Sequence, residues 1–568
     1  MYQIGTMRSN TTFKLFIILI VALLFRLYCI DKPEGLWNDE YVSWYIASKS
    51  SFSDFLYRML QNCHMPFYYF YLKFWMFFFS DTDLSLRLSS VVPSIISIIV
   101  MFFNGKELKN NNTGLVAAFL TAISSFSIYF AQEVRLYSLL FLFTSLTVLF
   151  FIRIIKYQSK INFILYFSAN AMVCATHTLG IVFSFFNIIC LFIYLYKNNN
   201  ECKDKIKIII SALKYISPFI LVLLILLPFL FEIAFSKSLS QFWSKFSYSK
   251  ILFTFVDYFS PIQTNIINSP DTFSTYLYSD TELNYIFILF AVIPLIIGVV
   301  TVIKSLLSGN KIINYLALSS LLFFITILII SLSGKIILIT KYTSEIYPAL
   351  LLILAYGLLE YKNKFIKYCA ITLFISINLL YLFVSPDAAP RRTRPEGHLA
   401  VVQLLNNSRL KYSDNVLLTY YDVDKFERYL PSKNKYRFYS INKFNFNYFM
   451  FNNEDYVQTI KQGKNLYKSY FAQFPNPVIM KYSNDYFIRN MKKGEKIGII
   501  FLNTVSFLSN DNIQDILKDE KRYKDTPFIF LVFSTLRNNL LLSFKDDYKI
   551  DSITGSGDWT LFVFEKTH

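Results

Sequence analysis

The chain has 568 residues, of which 54% are hydrophobic, 19% aromatic and only 17% charged. That much apolar material exceeds what one water-soluble core buries, so lipid is the expected solvent for most of the chain. The formal net charge of +18 fits either a nucleic-acid partner or the Lys and Arg that gather in the cytoplasmic loops of membrane proteins; its distribution decides between them.

The six cysteines, Cys29, Cys63, Cys174, Cys190, Cys202 and Cys369, form no C-x-x-C pair and avoid the last third of the chain. A disulfide framework or zinc knuckle is therefore not indicated, and they read as core residues.

The first apolar run, about 13–30, ends in Phe25-Arg26-Leu27-Tyr28-Cys29, without the small residues a signal peptidase needs, and reads as a retained helix. Further runs able to span follow at about 87–104, 115–131, 137–153, 162–178, 179–196, 208–234, 284–303, 312–333, 346–360 and 368–384, giving about eleven spans. Lys106 and Lys109, then Arg153, Lys156 and Lys160, then Lys197, Lys203, Lys205 and Lys207, then Lys304 and Lys311, then Lys362, Lys364 and Lys367 all fall in alternate loops. With Arg8 and Lys14 ahead of the first span, one side holds nearly all short-loop positive charge, so the N-terminus is expected in the cytoplasm. An odd number of spans then puts everything after about residue 385 outside, and no nucleic-acid partner is called for.

This count keeps 31–86 outside, as interfacial helices at roughly 40–60 and 65–79; Lys73 interrupts the second, and a span there would invert every later loop. A second outer segment, about 235–283, carries Trp243 and many Tyr and Phe. Beyond Ser385 the pattern changes to short β-rich runs at 416–421, 497–502, 528–533 and 560–564, alternating with helical stretches at 398–407 and 511–523, and Gly555-Ser556-Gly557-Asp558 reads as a hairpin turn. The expected fold is a polytopic α-helical membrane protein of about eleven transmembrane helices, residues 1–384, with a C-terminal α/β soluble domain, 385–568, on the outer face.

Leu36-Trp37-Asn38-Asp39-Glu40-Tyr41 follows the first span on that face. Its adjacent carboxylates suit holding a reacting hydroxyl and accepting its proton. They equally suit a helix start, with Asn38 or Asp39 as cap and Glu40 complementing the dipole, and both uses are compatible. Gln132-Glu133-Val134-Arg135-Leu136-Tyr137 sets two ionisable groups beside hydrocarbon, as a functional site or a structural Glu133–Arg135 pair. His64-Met65-Pro66 and Thr176-His177 lie on the same side, where a lone histidine is more often structural. The stretch 335–342, ending in Thr340-Lys341-Tyr342, brings two lysines into an outer loop against the charge trend. That fits a phosphate site or a lysine reaching for headgroups. No P-loop, G-x-G-x-x-G or G-x-S-x-G stands in a suitable setting, which disfavours nucleotide-driven transport and serine hydrolysis.

In order, these segments resemble the C-type glycosyltransferase superfamily, in its family-39-like branch with the protein O-mannosyltransferases and lipid A aminoarabinose transferases. Asp39-Glu40 follows the first span; His64-Met65-Pro66-Phe67-Tyr68-Tyr69 looks like His-Pro-Pro-Leu-Tyr-Tyr; Leu86-Arg87-Leu88-Ser89-Ser90 looks like Leu-Arg-Leu-Pro-Ser. Gln132-Glu133-Val134-Arg135-Leu136-Tyr137 resembles Gln-Glu-x-Arg-x-Tyr, and Thr176-His177 a Thr-His-Tyr segment. Met65 and Ser89 stand where prolines are usual, Thr178 where a tyrosine is, and Lys341-Tyr342 where an Arg-Tyr pair is; lysine keeps the charge but loses the bidentate fork.

The resemblance implies transfer of a sugar from a polyprenyl-phosphate donor to a lipid, glycan or protein hydroxyl, with inversion, in a bacterial inner membrane. It makes Asp39 the base, Glu40 an orienting residue and Glu133 a second acid, with Arg135, His177, Lys341 and Tyr342 meeting the donor phosphate and His64 and Tyr137 nearby. No metal is required, though a divalent ion between Asp39 and Glu133 stays open. Two rivals remain: a transporter or lipid-linked-sugar flippase, which calls for broken helices and carboxylates near the bilayer midplane, and a scaffold whose soluble domain does the work.

Overall fold

The computed structural model describes residues 2–33, 35–49, 51–61, 65–198, 202–235, 249–261, 288–333, 337–384, 398–410, 415–418, 428–429, 437–440, 492–502, 548–556 and 559–567. The chain divides into two compact units, Met1–Ile30 with Val42–Arg392 and Asp31–Tyr41 with Thr393–His568.

Helices make up the first unit. Among the described residues, seven are long and apolar enough to cross a membrane: α1 (Tyr2–Leu27, over Asn10–Leu27), α5 (Asp83–Leu108), α8 (Tyr137–Tyr157), α10 (Gly180–Asn198), α15 (Lys311–Leu332), the segment Thr340–Leu359 containing α16 (Tyr347–Leu359), and α17 (Lys364–Val384). Large apolar side chains such as Phe13, Leu24, Leu321, Ile329 and Phe383 point outward from them, as lipid-facing residues do. A multi-pass membrane protein is the outcome.

An eighth span arises if α6 (Asn111–Ile123) and α7 (Ser125–Ala131), bent by 59°, count as one. The expected 162–178 span lies on the 17-residue α9 (Lys160–Thr176). The expected 208–234 span is two helices, α11 (Cys202–Leu213) and α12 (Ser217–Phe235), because Pro218 sits in the first turn of α12 and starts a helix rather than continuing one. A short π turn, Ile288–Val292, leads into α14 (Ile293–Leu306) within the eighth expected span.

The bend between α6 and α7 has a visible cause. Ser124 is extended, and its hydroxyl accepts from Ser127 N at 3.2 Å, so it caps a new helix instead of extending the old one. The carbonyls of Thr121 and Ala122 thereby lose their i+4 partners. Arg26, wholly buried on α1, takes them at 3.3 and 3.0 Å, and its other donors go to Ala22 O, Ser94 Oγ and Ser127 Oγ at 3.0, 2.8 and 2.9 Å. Five guanidinium N–H groups thus meet five acceptors and lock α1, α5, α6 and α7 together.

α5 and α6 form a hairpin closed by Lys109-Asn110, with Asn110 Oδ1 accepting from Thr113 N at 3.0 Å. Their backbones approach so closely that a Cβ on Gly105 would stand 2.5 Å from Thr113 O. Gly105→Ala is therefore expected to cost about 1–3 kcal/mol, read as a lower thermal midpoint in detergent; an unchanged midpoint would show that the pair yields.

The positively charged loops meet at one end of this unit. Arg153 Nη2 lies 3.2 Å from Glu107 Oε1, Lys109 pairs with Glu360, and Lys311 Nζ donates to Asn198 Oδ1 at 2.7 Å. That grouping agrees with the alternation of charge along the sequence.

The expected interfacial helix over 40–60 is instead α2 (Asn38–Ala47) and α3 (Phe52–Gln61), because Ser48-Lys49-Ser50-Ser51 supplies capping groups, Ser51 Oγ accepting from Asp54 N at 3.5 Å. α4 (Phe67–Phe78) occupies the second expected position. Its Lys73, which breaks the apolar run, donates to Ala47 O and Lys49 O at 3.2 and 2.5 Å and so closes the C-terminus of α2. The expected outer segment 235–283 is described only through its first residue, α13 (Ser249–Phe259) and the two residues after it; Trp243 lies outside the described residues. Cys174 and Cys190 are core residues as expected, whereas Cys29, in the turn after α1, and Cys369, on α17, are exposed.

The second unit contains a mixed sheet of order β2-β1-β3-β5-β4, from β1 (Asn415–Leu418), β2 (Arg437–Ser440), β3 (Lys496–Leu502), β4 (Tyr548–Ser556) and β5 (Trp559–Lys566). β1 runs parallel to β2 and β3; β5 is antiparallel to β3 and β4. The β4–β5 ladder closes at Ser556↔Trp559, where the hairpin turn was expected. α18 (His398–Asn406) packs on β4 and β5 with Val401 and Leu405 fully buried. The expected elements at 511–523 and 528–533 lie outside the described residues. Segment 31–41 joins this unit through Leu36 N, which donates to Tyr429 Oη at 2.8 Å, and through Gly35, where a Cβ would stand 2.6 Å from Leu399 Cβ.

Candidate functional site

Asp39 and Glu40 occupy the first turn of α2, in the residues grouped with the second unit. Glu40 is wholly buried, and its Oε2 accepts from Trp37 N at 3.3 Å, the reach-back half of a capping box. The structural use weighed for this pair is thus present at Glu40. Asp39, one residue earlier, is half-buried.

The remaining site residues belong to the first unit. Between α7 and α8 the chain makes a buried turn over 132–136. Gln132 Nε2 donates to the carbonyls of Phe25, Arg26 and Tyr28 at 3.4, 3.1 and 2.8 Å, closing the end of α1. Ser90 on α5 donates to Glu133 O at 2.5 Å, and Arg135 N to the same carbonyl at 2.8 Å. Glu133 is 2% and Arg135 7% exposed, so the turn presses two ionisable groups into the protein, and Arg135 Nη1 donates to Ser43 Oγ at 3.4 Å. Ionisable groups so placed are costly and are commonly retained for function. The adjoining motif is built in as well: Arg87 is wholly buried and donates to Ile30 O at 3.1 Å.

Three of the sequence candidates converge on one ring. His177 ends α9, its ring stacked on Tyr342 at 6.0 Å and 27° and edge-on to Tyr137 at 6.5 Å and 60°. Its Nδ1 lies 2.5 Å from Glu345 Oε1. Lys341 Nζ sits 5.3 Å above the Tyr342 ring. His64 lies outside the described residues.

Glu345 is a site residue that the sequence reading missed, and so is Asp257. Both are wholly buried. They frame the 3-10 helix Thr340–Ile346: Thr340 Oγ1 donates to Asp257 Oδ2 at 2.6 Å, and Tyr258 donates to Thr343 O at 2.9 Å. Burial pushes the Tyr258 hydroxyl well above its ordinary range, so it stays protonated and keeps donating. Tyr347 Oη and Ser124 Oγ, 2.7 Å apart, fasten the next turn to the start of α7. The signal available in the sequence was one carboxylate at the mouth of an apolar span, three residues past Tyr342 and so on the same side of a 3-10 turn. Among the described residues, no three of His, Cys, Asp and Glu gather as a metal-ligand set.

Residues 63–231 match the family model of dolichyl-phosphate-mannose-protein mannosyltransferases. The resemblance to a C-type membrane glycosyltransferase read from the motifs is thereby borne out. The match to the mannosyltransferase family takes in Glu133, Arg135, Tyr137 and His177, and leaves Asp39, Glu40, Lys341, Tyr342 and Glu345 outside it. No curated protein matches the chain. Among solved structures, the Archaeoglobus fulgidus oligosaccharyltransferase in complex with Zn and sulfate is similar at 11% identity and a TM-score of 0.45, over 97% of this chain and 88% of that one. ArnT from Cupriavidus metallidurans bound to undecaprenyl phosphate is similar at 10% identity and a TM-score of 0.47, over 96% of this chain and 97% of that one.

Proposed function

We propose that this chain transfers a sugar from a polyprenyl-phosphate-linked donor to an acceptor hydroxyl on the outer face of a bacterial inner membrane, with inversion at the anomeric carbon. The observation that carries this reading is the match to the mannosyltransferase family over the stretch whose Glu133, Arg135 and His177 are drawn into the protein at its turns. Residues 1–384 form the transmembrane part in this reading, with about eleven spans and the N-terminus in the cytoplasm, and 385–568 an outer α/β domain.

The bond from the anomeric carbon to the phosphate oxygen breaks, and its electron pair leaves on the phosphate. Acceptor oxygen bonds to that carbon from the opposite side, and its proton passes to Asp39. Glu40 orients the acceptor, and Glu133 is a second acid. The leaving group passes from phosphodiester to phosphomonoester and gains one negative charge, which Arg135, His177 and Lys341 offset with Tyr342 beside them. By the resemblance, His64 and Tyr137 are further candidates of this site. Phosphate leaves readily with these cations present, so the scheme requires no metal.

Offering purified protein a panel of polyprenyl-phosphate sugars and the matching nucleotide sugars, with an extract of native envelope acceptors, tests the donor class. Transfer from lipid donors alone is expected; transfer from nucleotide sugars alone would refute the reading.

A further inference from the structure

We propose that Glu345 is a positioning residue that works through His177, holding the imidazole so that its Nε2 faces the departing phosphate and balancing the positive charge it carries there; this rests on the transfer reaction proposed above. Four observations lead to it. Glu345 is wholly buried, and a lone buried carboxylate is expensive. Its Oε1 lies 2.5 Å from His177 Nδ1, whereas its Oε2, also buried, has no hydrogen-bond partner among the described residues. The imidazole is therefore the group that offsets this carboxylate. Tyr342 on one face and Tyr137 at the edge fix the ring plane, so the nitrogen that Glu345 does not engage has one set direction. Finally, Glu345 and Tyr342 share the 3-10 helix held by Asp257 and Tyr258, so the carboxylate is mounted on a braced element.

The chemistry follows from which nitrogen is engaged. A carboxylate on Nδ1 fixes the proton there and sets the role of Nε2. When the carbon–oxygen bond breaks and negative charge gathers on the phosphate, an Nε2–H of the protonated ring donates to it, and Glu345 offsets the imidazolium from behind. No proton is transferred in this step; the acceptor's proton goes to Asp39.

A structural pin between the 3-10 helix and the end of α9 would need only a hydrogen bond, which glutamine also supplies. Glu345→Gln thus keeps the pin and removes the charge. Its kcat is expected to fall about 10- to 100-fold with donor KM within about threefold and an unchanged thermal midpoint. In a His177→Gln background the same substitution is expected to cost nothing further, because the residue it acts through is gone. Equal losses in both backgrounds, or a kcat within about threefold of wild type, would overturn the proposal. Glu345→Asp, which keeps the charge, is expected to stay within about tenfold of wild type; if E345Q does not fold, Glu345→Ala, which also removes the charge, replaces it in the same cycle under the same criterion. Wild type and Asp39→Asn run alongside separate the two levels. If wild type transfers and only the Glu345 cycle is additive, the assignment of Glu345 alone fails; if wild type transfers nothing, the reaction and the assignment fail together.

Discussion

Asp39→Asn is expected to lower kcat about 10²- to 10⁴-fold while leaving the amount of folded protein unchanged. The swap nearly preserves shape and removes the group that accepts the acceptor's proton. Its structural cost is small, since the first turn of α2 is closed by Glu40 reaching back to Trp37 N, and one charge near a helix N-terminus is worth about 0.3–1 kcal/mol. Glu40→Gln supplies the contrast: glutamine also accepts from Trp37 N, so any loss there reports on Glu40's proposed handling of the acceptor. Parallel measurements of kcat, KM and thermal midpoint separate the two. An Asp39→Asn enzyme with full kcat would remove the base from the scheme, whereas one with a collapsed midpoint would make the Asp39 carboxylate a structural group, beyond the small change that loss of a cap or one helix-end charge allows.

Arg26→Met carries the largest expected effect on stability, about 3–5 kcal/mol. All five of its donors are used, and two of them satisfy the carbonyls that the α6–α7 break sets free. Methionine fills similar space but leaves Thr121 O and Ala122 O without donors inside an apolar bundle, at about 1–3 kcal/mol each. Lysine cannot restore the set, because three donors on one nitrogen do not reach acceptors spread over α1, α5, α6 and α7. Arg26→Lys is therefore expected to be nearly as unstable as Arg26→Met by thermal melting in detergent. The broken helix that a transporter would use is present here, and its break is filled by a fixed guanidinium.

Much of the membrane part was legible in the sequence because its signals are local. Apolar runs marked the seven helices that are long and apolar enough to cross a membrane among the described residues, and the motif segments placed Glu133, Arg135 and His177 at turns. The α6–α7 break was not legible, since Ser124-Ser125 lies inside an apolar run and the cation that stabilises the break is nearly a hundred residues away. Membership of 31–41 in the second unit depends on Gly35 meeting Leu399 and on Leu36 meeting Tyr429, contacts across more than 350 residues. Glu345 escaped for a simpler reason. The cluster at Lys341-Tyr342 was read by adjacency, whereas a 3-10 turn sets its partners three residues apart.

The most direct test places wild-type protein in liposomes with a polyprenyl-phosphate donor labelled in the sugar, an envelope acceptor extract and no nucleotide. Both the label and the lipid are followed. Sugar appearing on the acceptor in step with free polyprenyl phosphate is the expected result, because the proposed reaction breaks the sugar–phosphate bond. Intact donor crossing the bilayer with that bond unbroken would contradict the account and make the protein a flippase.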